Sequence, residues 1–462
     1  MQTWLSIFLA IYGASLLVFS PIFGWLGDRM KYRQVPYLIG LVLLGGSTAM
    51  LCVGNSIAVF AVGRVLQGAS AAVVWIVGLA LLVDTVGPGE IGTAMGYVSL
   101  SMSMAILLAP LLAGVVFANA GYYAVYAMAF GLILLDIILR LIMIERKTAR
   151  KWLPEEPNLE QNQPSIEEKS PSQDTDVEAA VTTDNDNEAI RHLPSQEQVH
   201  RSPSTPEEIG ATIAPHAPSS LQTFLARLPP IVTLLASRRI LAGLWAVIMQ
   251  SALLTSFDSI LPLFTKNTFG WDSTGAGLIF LPIVISSFGE PLIGKLSDKY
   301  GPRWMATSGF VLACPFLILL RLVDHNSIGQ KVMLCAFLAM IGLGLALALT
   351  PLMAEFSYAV EAKAKRRPEG FFGKYGAYAQ SYALFNMAWA AGSMIGPLLA
   401  GLTSEASGWP TATLILGCVS IFTAVPTAVW TGGSIFKERR GRKEEVVEGG
   451  DDGGETAVAE KD

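Results

Sequence analysis

A carboxylate inside an apolar stretch is the most informative residue of this sequence. Asp258, in Thr255-Ser-Phe-Asp258-Ser-Ile-Leu-Pro262, stands four residues before a proline, with Phe257 before it and Ile260 and Leu261 after it. An ionised carboxylate is costly in such low-dielectric surroundings unless a proton or cation binds it, so its chemistry is ion coupling rather than hydrolysis. Glu290 and Glu355 are further acids in apolar runs, and Arg64, in Gly63-Arg64-Val-Leu-Gln67-Gly68, is a cation in another. An arginine there costs roughly 2.5–3.5 kcal/mol on insertion scales and should face a bundle interior or water. Gln67 lies one turn on, and Gly68 permits close helix approach.

A second set of charges is arranged differently. Gly24-Trp-Leu-Gly-Asp28-Arg29-Met-Lys31-Tyr-Arg33 is echoed 270 residues later by Gly294-Lys-Leu-Ser-Asp298-Lys299-Tyr-Gly301-Pro-Arg303. Both follow an apolar run, and both read G-x-L-x-D-[RK]-x-x-x-R. A carboxylate at a helix end can accept hydrogen bonds from another helix's N-terminus or pair with neighbouring cations, a contact that can be made in one conformation and broken in another. The alternative is a basic cluster that only sets membrane topology. No nucleophile–base pair or metal-ligand cluster accompanies these residues, so enzyme chemistry, a metal and a cofactor are not expected. Four single cysteines within apolar runs suggest no disulfide framework, and three of the four histidines fall in one polar stretch.

The elements that must hold these residues follow from composition. The chain has 462 residues, 52% apolar and 15% charged, with a mean hydropathy of +0.48, against about 25% charged in soluble domains. Of 69 charged residues, 25 lie in 145–239 and 15 in 437–462, which leaves the rest of the chain as apolar as a polytopic membrane protein. Apolar runs long enough to span a bilayer occur near 4–26, 36–54, 57–83, 93–117 and 121–144, then near 240–264, 274–294, 304–323, 331–354, 377–402 and 409–431. These eleven spans must be helical, because a backbone in lipid satisfies its own hydrogen bonds. The expected organisation is an N-terminal bundle over 1–148, a disordered linker over 149–238, a C-terminal bundle over 239–434 and a disordered tail over 435–462. Alternate connections carry the basic residues, which places the two motifs, the linker and the tail on the cytoplasmic side. No basic field suggests nucleic acid.

The repeated motif, together with the helix motifs, resembles the major facilitator superfamily. The chain is most similar to its twelve-helix drug:proton antiporters, and among those to vesicular-amine-transporter-like members of fungal type. Arg64 to Gly68 resembles the R-x-x-Q-G motif of the family's fourth helix. Ala109-Pro110-Leu-Leu-Ala113-Gly114 resembles the antiporter motif of the fifth, with alanine at two glycine positions. Gly392-Ser-Met-Ile-Gly396-Pro397-Leu-Leu-Ala-Gly401 is the equivalent in the eleventh. By this correspondence the first apolar run matches the family's second helix, so the first-helix position is expected to be empty, leaving a gap in the N-terminal bundle.

The resemblance implies an all-α major facilitator fold of two pseudo-symmetric bundles and a proton-coupled exporter of a small organic compound or drug. It implies that Gly24, Asp28, Arg29, Arg33, Gly294, Asp298, Lys299 and Arg303 form a conformational latch, and that Asp258, Arg64 and Glu290 serve proton coupling. Pro110, Gly114, Gly396, Pro397 and Gly401 would bend or thin the helices of the antiporter motif, or simply pack them. Gln67, Trp75, Tyr382, Asn386 and Trp389 would line the substrate cavity. Ala346 and Asn386 stand where vesicular amine transporters carry acids, which argues against a monoamine and for a larger neutral or weakly cationic compound. The expected partners are that compound, protons and the lipid bilayer, with the chain monomeric in a plasma or vacuolar/vesicular membrane. A facilitated uniporter and a truncated non-transporting membrane sensor are the alternatives.

Overall fold

The computed structural model describes residues 2–30, 32–87, 89–143, 230–367, 371–372 and 376–433. Ten helices among them are long and apolar enough to cross a membrane. The first five are α1 (Gln2–Arg29), α2 (Gln34–Val53), α3 (Ile57–Val86), α4 (Ile91–Ala120) and α5 (Tyr122–Ile142). A short helix, α6 (Pro230–Leu235), leads into α7 (Arg238–Phe269). After α11 (Pro302–Leu319) come α12 (Ile328–Ala364), α13 (Tyr378–Ser407) and α14 (Trp409–Trp430).

The eleventh expected span, near 274–294, is not one helix. It is broken into α8 (Ser273–Leu278), α9 (Leu281–Ile285), a 3₁₀ turn over Ser286–Gly289 and α10 (Glu290–Tyr300). Gly275, Gly277, Pro282, Gly289 and Pro291 lie along it, and glycine and proline are the residues that interrupt a helical ladder. Most other ends are marked by the expected residues. Ser56 and Ser327 cap α3 and α12 through their hydroxyls, and Asp272 caps α8. Gly87, Gly121, Gly301 and Gly408, all at positive φ, close α3, α4, α10 and α13.

The linker expected over 149–238 lies outside the described residues as far as 229. Its last part differs from the expectation, because Pro230–Leu235 is helical and docked. Ile231 N–H donates to Gln380 Oε1 at 2.9 Å, and Lys363 Nζ donates to the Thr233 carbonyl. A PIVTLL segment without charge can bury Thr233 and Leu234 against the bundle. The tail over 435–462 lies outside the described residues.

Helices α7 to α14 form one half around a continuous apolar core, with α7 against α13 and α11 against α12 and α14. Helices α1 to α5 form the other, with α3 against α1 and α2. The halves meet where α1 crosses α13 and where α4 crosses α10 and α12. The place that α7 fills against α13 and α14 has no counterpart against α4 and α5 among the described residues. Accordingly α5 carries no buried residue, and a Cβ added at Gly114 would meet nothing within 4 Å.

Candidate functional site

The two motif carboxylates are placed alike, each on the half opposite its own. Asp28, near the end of α1, accepts the backbone N–H groups of Ala379 at 2.9 Å and Gln380 at 3.0 Å, and Gln380 Nε2 at 3.1 Å. These are the second and third N–H groups of α13, in its open first turn. Asp298, near the end of α10, accepts the N–H groups of Gly92 at 2.6 Å and Thr93 at 2.8 Å, which open α4. The Thr93 hydroxyl (2.8 Å) and the Tyr358 hydroxyl (2.5 Å) complete its shell. A helix start presents unpaired N–H donors and the positive end of the helix dipole, so a carboxylate is the matching group.

The motif glycines let those backbones meet. A Cβ at Gly24 would lie 2.5 Å from Ala383 Cβ, and one at Gly294 would collide with the Gly92 carbonyl. The motif cations behave differently in the two halves. Arg33 is buried, 3.5 Å from Asp28 and 3.4 Å from Asp84, tying the end of α1 to α3. Arg303 turns to the end of α14 and donates to the carbonyls of Thr431 (2.7 Å) and Gly433 (2.5 Å). Arg29 and Lys299 are exposed over the rings of Trp25 and Tyr300.

At the other end of the molecule the halves stand apart around a cavity of about 1490 Å³. Met102, Ile106 and Gly114 of α4 face Leu254, Asp258 and Lys266 of α7 across it, with Trp271, Phe280 and Trp389. Asp258 therefore borders open space on the solvent-accessible side of α7. Most of the wall is apolar or aromatic, which suits an organic ligand better than an inorganic one.

Of the five side chains expected to line a substrate cavity, this one takes Trp389, stacked on Phe385. Tyr382 is fully buried instead, bonded to Ser357 at 2.7 Å and reaching Met95 of α4. Asn386 donates to Ser20 Oγ of α1 at 2.9 Å. The reason is their place on α13. Tyr382 and Asn386 follow within two turns of the N-terminus that Asp28 caps, so they lie in the sealed contact, and Trp389 lies beyond it. Gln67 accepts Arg64 NH1 at 2.8 Å, as the spacing suggests. Trp75 sits over a smaller cavity with Leu82, Tyr97 and Val98.

Gly396 and Pro397 pack α13 on α7. Ser256 Oγ donates to the Gly396 carbonyl at 3.0 Å and Ser259 Oγ to the Pro397 carbonyl at 3.4 Å, and a Cβ at Gly396 would meet the Ala252 backbone. Gly401 has no neighbour within 4 Å of its Cβ position, and Pro110 falls within α4 with its side chain outside the described residues. Glu290 is 1% exposed at the break before α10, and the Ser103 hydroxyl lies 3.4 Å from Oε1. Glu355 is held by Arg239 through two bonds of 2.5 and 2.8 Å and by Gly432 N–H at 2.8 Å. That pair, Gln380 and Tyr358 were not expected from the sequence. The one usable signal was Thr93, a hydroxyl three residues into a helix start.

Residues 2–366 match the family model described as Major Facilitator Superfamily. An uncharacterized MFS-type transporter of Schizosaccharomyces pombe is 32% identical over 423 residues, covering 91% of this chain and 84% of its own. The synaptic vesicular amine transporter of Mus musculus is 21% identical over 410 residues, covering 88% of this chain and 62% of its own. In overall shape the chain resembles the crystal structure of the human organic anion transporter MFSD10 (TETRAN), with a TM-score of 0.58 at 15% identity, covering 91% of this chain and 82% of that one.

Proposed function

We propose that this chain, which belongs to the Major Facilitator Superfamily and is a multi-pass integral membrane transporter, exports a small organic compound in exchange for protons by alternating access. The observation that carries this reading is the opposition of a sealed end and an open one. At one end two carboxylates from repeated motifs each cap a helix of the opposite half, and at the other a cavity of about 1490 Å³ separates the halves. Two contacts related by exchange of the halves have to break together when that end opens, which makes them a latch in one of two states. The basic residues around both motifs support a cytoplasmic sealed end, and in this reading the cavity with Asp258 faces outward.

Asp258 is the coupling acid in this reading. An isolated carboxylate on an apolar cavity wall takes up a proton from the outer side and competes with substrate for the same place. The aromatic and apolar lining supports a neutral or weakly cationic organic substrate, in keeping with the amine named for the mouse relative. The test is transport in inside-out vesicles under an acid-inside proton gradient. Asp258→Asn should abolish gradient-driven accumulation and keep substrate exchange, whereas Asp258→Glu should retain part of the coupling. Undiminished accumulation by Asp258→Asn refutes the assignment.

A further inference from the structure

Behind the inner wall of the open cavity lies a second, much smaller one of about 50 Å³. The two share Ile106, Leu254, Ile283 and Val284, so only a layer of apolar side chains divides them. Two oxygens on residues lining the small cavity, Glu290 Oε2 and Gln250 Oε1, have no hydrogen-bond partner, and both residues are 1% exposed. Gln250 uses its amide N–H on the Leu345 carbonyl, which fixes the side chain and leaves Oε1 waiting for a donor. The Glu290 Oε1 side is served by the Ser103 hydroxyl, and the Ser287 hydroxyl also reaches this carboxyl. With the Ser103 and Ser287 hydroxyls both turned to the carboxyl, two buried acceptors on residues lining one small space are still unpaired, an arrangement that a proton resolves. A protonated Glu290 becomes a donor and can satisfy Gln250 Oε1 directly or through one water, whose volume of about 30 Å³ fits the space.

The position of this pocket links it to the latch. Glu290, Gly294 and Asp298 are spaced i, i+4, i+8 on α10 and lie on the face that meets α4. Gly96 of α4 abuts the Glu290 carbonyl, Gly92 abuts Gly294 and Asp298, and Ser103 reaches the Glu290 carboxyl. One seam between the halves therefore runs from the capped helix start at Asp298 to the pocket at Glu290. The pocket's lining from α4, α7, α9 and α12 includes no other ionisable side chain. The next charged groups are Asp258, two turns along α7 in the outer cavity, exposed Lys295 and then Asp298 along α10, and Glu355, six residues beyond Leu349 on α12 and paired with Arg239.

We infer that Glu290 is a proton site sealed by the seam, so that the α4–α10 contact closes on protonated Glu290 and parts when the proton leaves toward the latch end. This rests on the alternating-access reading but not on the role of Asp258. An ionised carboxylate enclosed without a cation is the state the sealed seam excludes. Once α4 moves away, water reaches the group and the anion is tolerated. The seam thus counts one proton per closure.

The experiment needs neither substrate nor gradient, so it is independent of whether Asp258 couples transport. Ser99, fully buried on α4 with its hydroxyl 3.2 Å from Met353 Sδ of the opposite half, is the reporter. In the full chain, Ser99→Cys is exposed to a membrane-impermeant thiol reagent from the latch side, and modification is read by peptide mass spectrometry. Thiol ionisation alone steepens labelling with pH, so the quantity read is the excess over the Glu290→Gln background. With native Glu290 the rate should rise more steeply, the excess slope approaching tenfold per unit, the linkage limit for one proton. Glu290→Gln should hold the seam closed and leave only the thiol's own slope, and Glu290→Asp should restore the excess. A second measurement uses the protein carrying native Glu290. Dicyclohexylcarbodiimide adds across a protonated carboxyl and rearranges to an N-acylurea, so Glu290 should be modified at acid pH and spared at alkaline pH. An equal slope with native Glu290 and with Glu290→Gln, or carbodiimide modification that does not fall with pH, overturns the proposal. So does labelling at fixed pH that follows sodium concentration, which would make the occupant a metal cation.

Discussion

Replacing Asp298 by Asn tests whether the carboxylate, and not only its shape, holds the halves together. Four donors converge on two oxygens, with Gly92 N–H and the Tyr358 hydroxyl on Oδ1 and Thr93 N–H and hydroxyl on Oδ2. An asparagine has one acceptor oxygen, so its NH₂ must face one of the two pairs. The hydroxyls can rotate away, but a backbone N–H cannot, and one of them is left without an acceptor at a cost of about 1–3 kcal/mol. Loss of the charge at a helix start removes a further ~0.3–1 kcal/mol. Together these destabilise the sealed state by about 2–3 kcal/mol, a factor of roughly 30–150 in population. Asp28→Asn meets the same geometry at Ala379 and Gln380 and in addition leaves buried Arg33 with less compensation, so its effect should be the larger. The assay is double electron–electron resonance between spin labels at Val35 and Trp304, exposed positions at the sealed end of opposite halves. A latch-open population near 1% would rise to between about a quarter and three-fifths, seen as a longer-distance component. Distance distributions unchanged in both variants would refute the argument and leave the motifs a topological role alone.

Gly24→Ala and Gly294→Ala should each pry the same end apart by about 1–3 kcal/mol, because their new Cβ atoms meet Ala383 and the Gly92 backbone. Gly114→Ala and Gly401→Ala, with nothing within 4 Å, should leave the distance distribution as it is. Glu355→Gln removes one charge of a buried pair whose other member keeps 19% of its side-chain surface exposed, so the loss should fall toward the low end of about 3–5 kcal/mol and appear as a lowered thermal midpoint in detergent. Equal midpoints would show that the Gly432 N–H and Arg239 contacts are dispensable.

The sequence carried the fold because lipid leaves the backbone few options, and ten apolar runs became membrane-length helices. By hydropathy the run at 274–294 reads as continuous, because the average passes over Pro282, Gly289 and Pro291, which divide it. The two motif carboxylates stand out in the repeat, yet their partners do not. Ala379 and Gln380 lie some 350 residues from Asp28, and backbone N–H groups leave no mark in a sequence. The cavity residues were the least legible. Whether an aromatic on α13 lines open space or a sealed contact depends on its height along the helix relative to the capped end. Tyr382 and Trp389, two turns apart, differ in nothing the sequence shows. Glu355 was visible as an acid in an apolar run, but its pairing with Arg239 at the start of α7 needed the fold.

The measurement that bears most directly on the account is accumulation of candidate organic compounds by the wild-type chain in inside-out vesicles with an acid interior. Proton-coupled export by alternating access predicts uptake against the compound's own gradient that collapses when a protonophore is added. Uptake that only equilibrates the compound and is indifferent to the protonophore would contradict it, and would make the chain a facilitated uniporter.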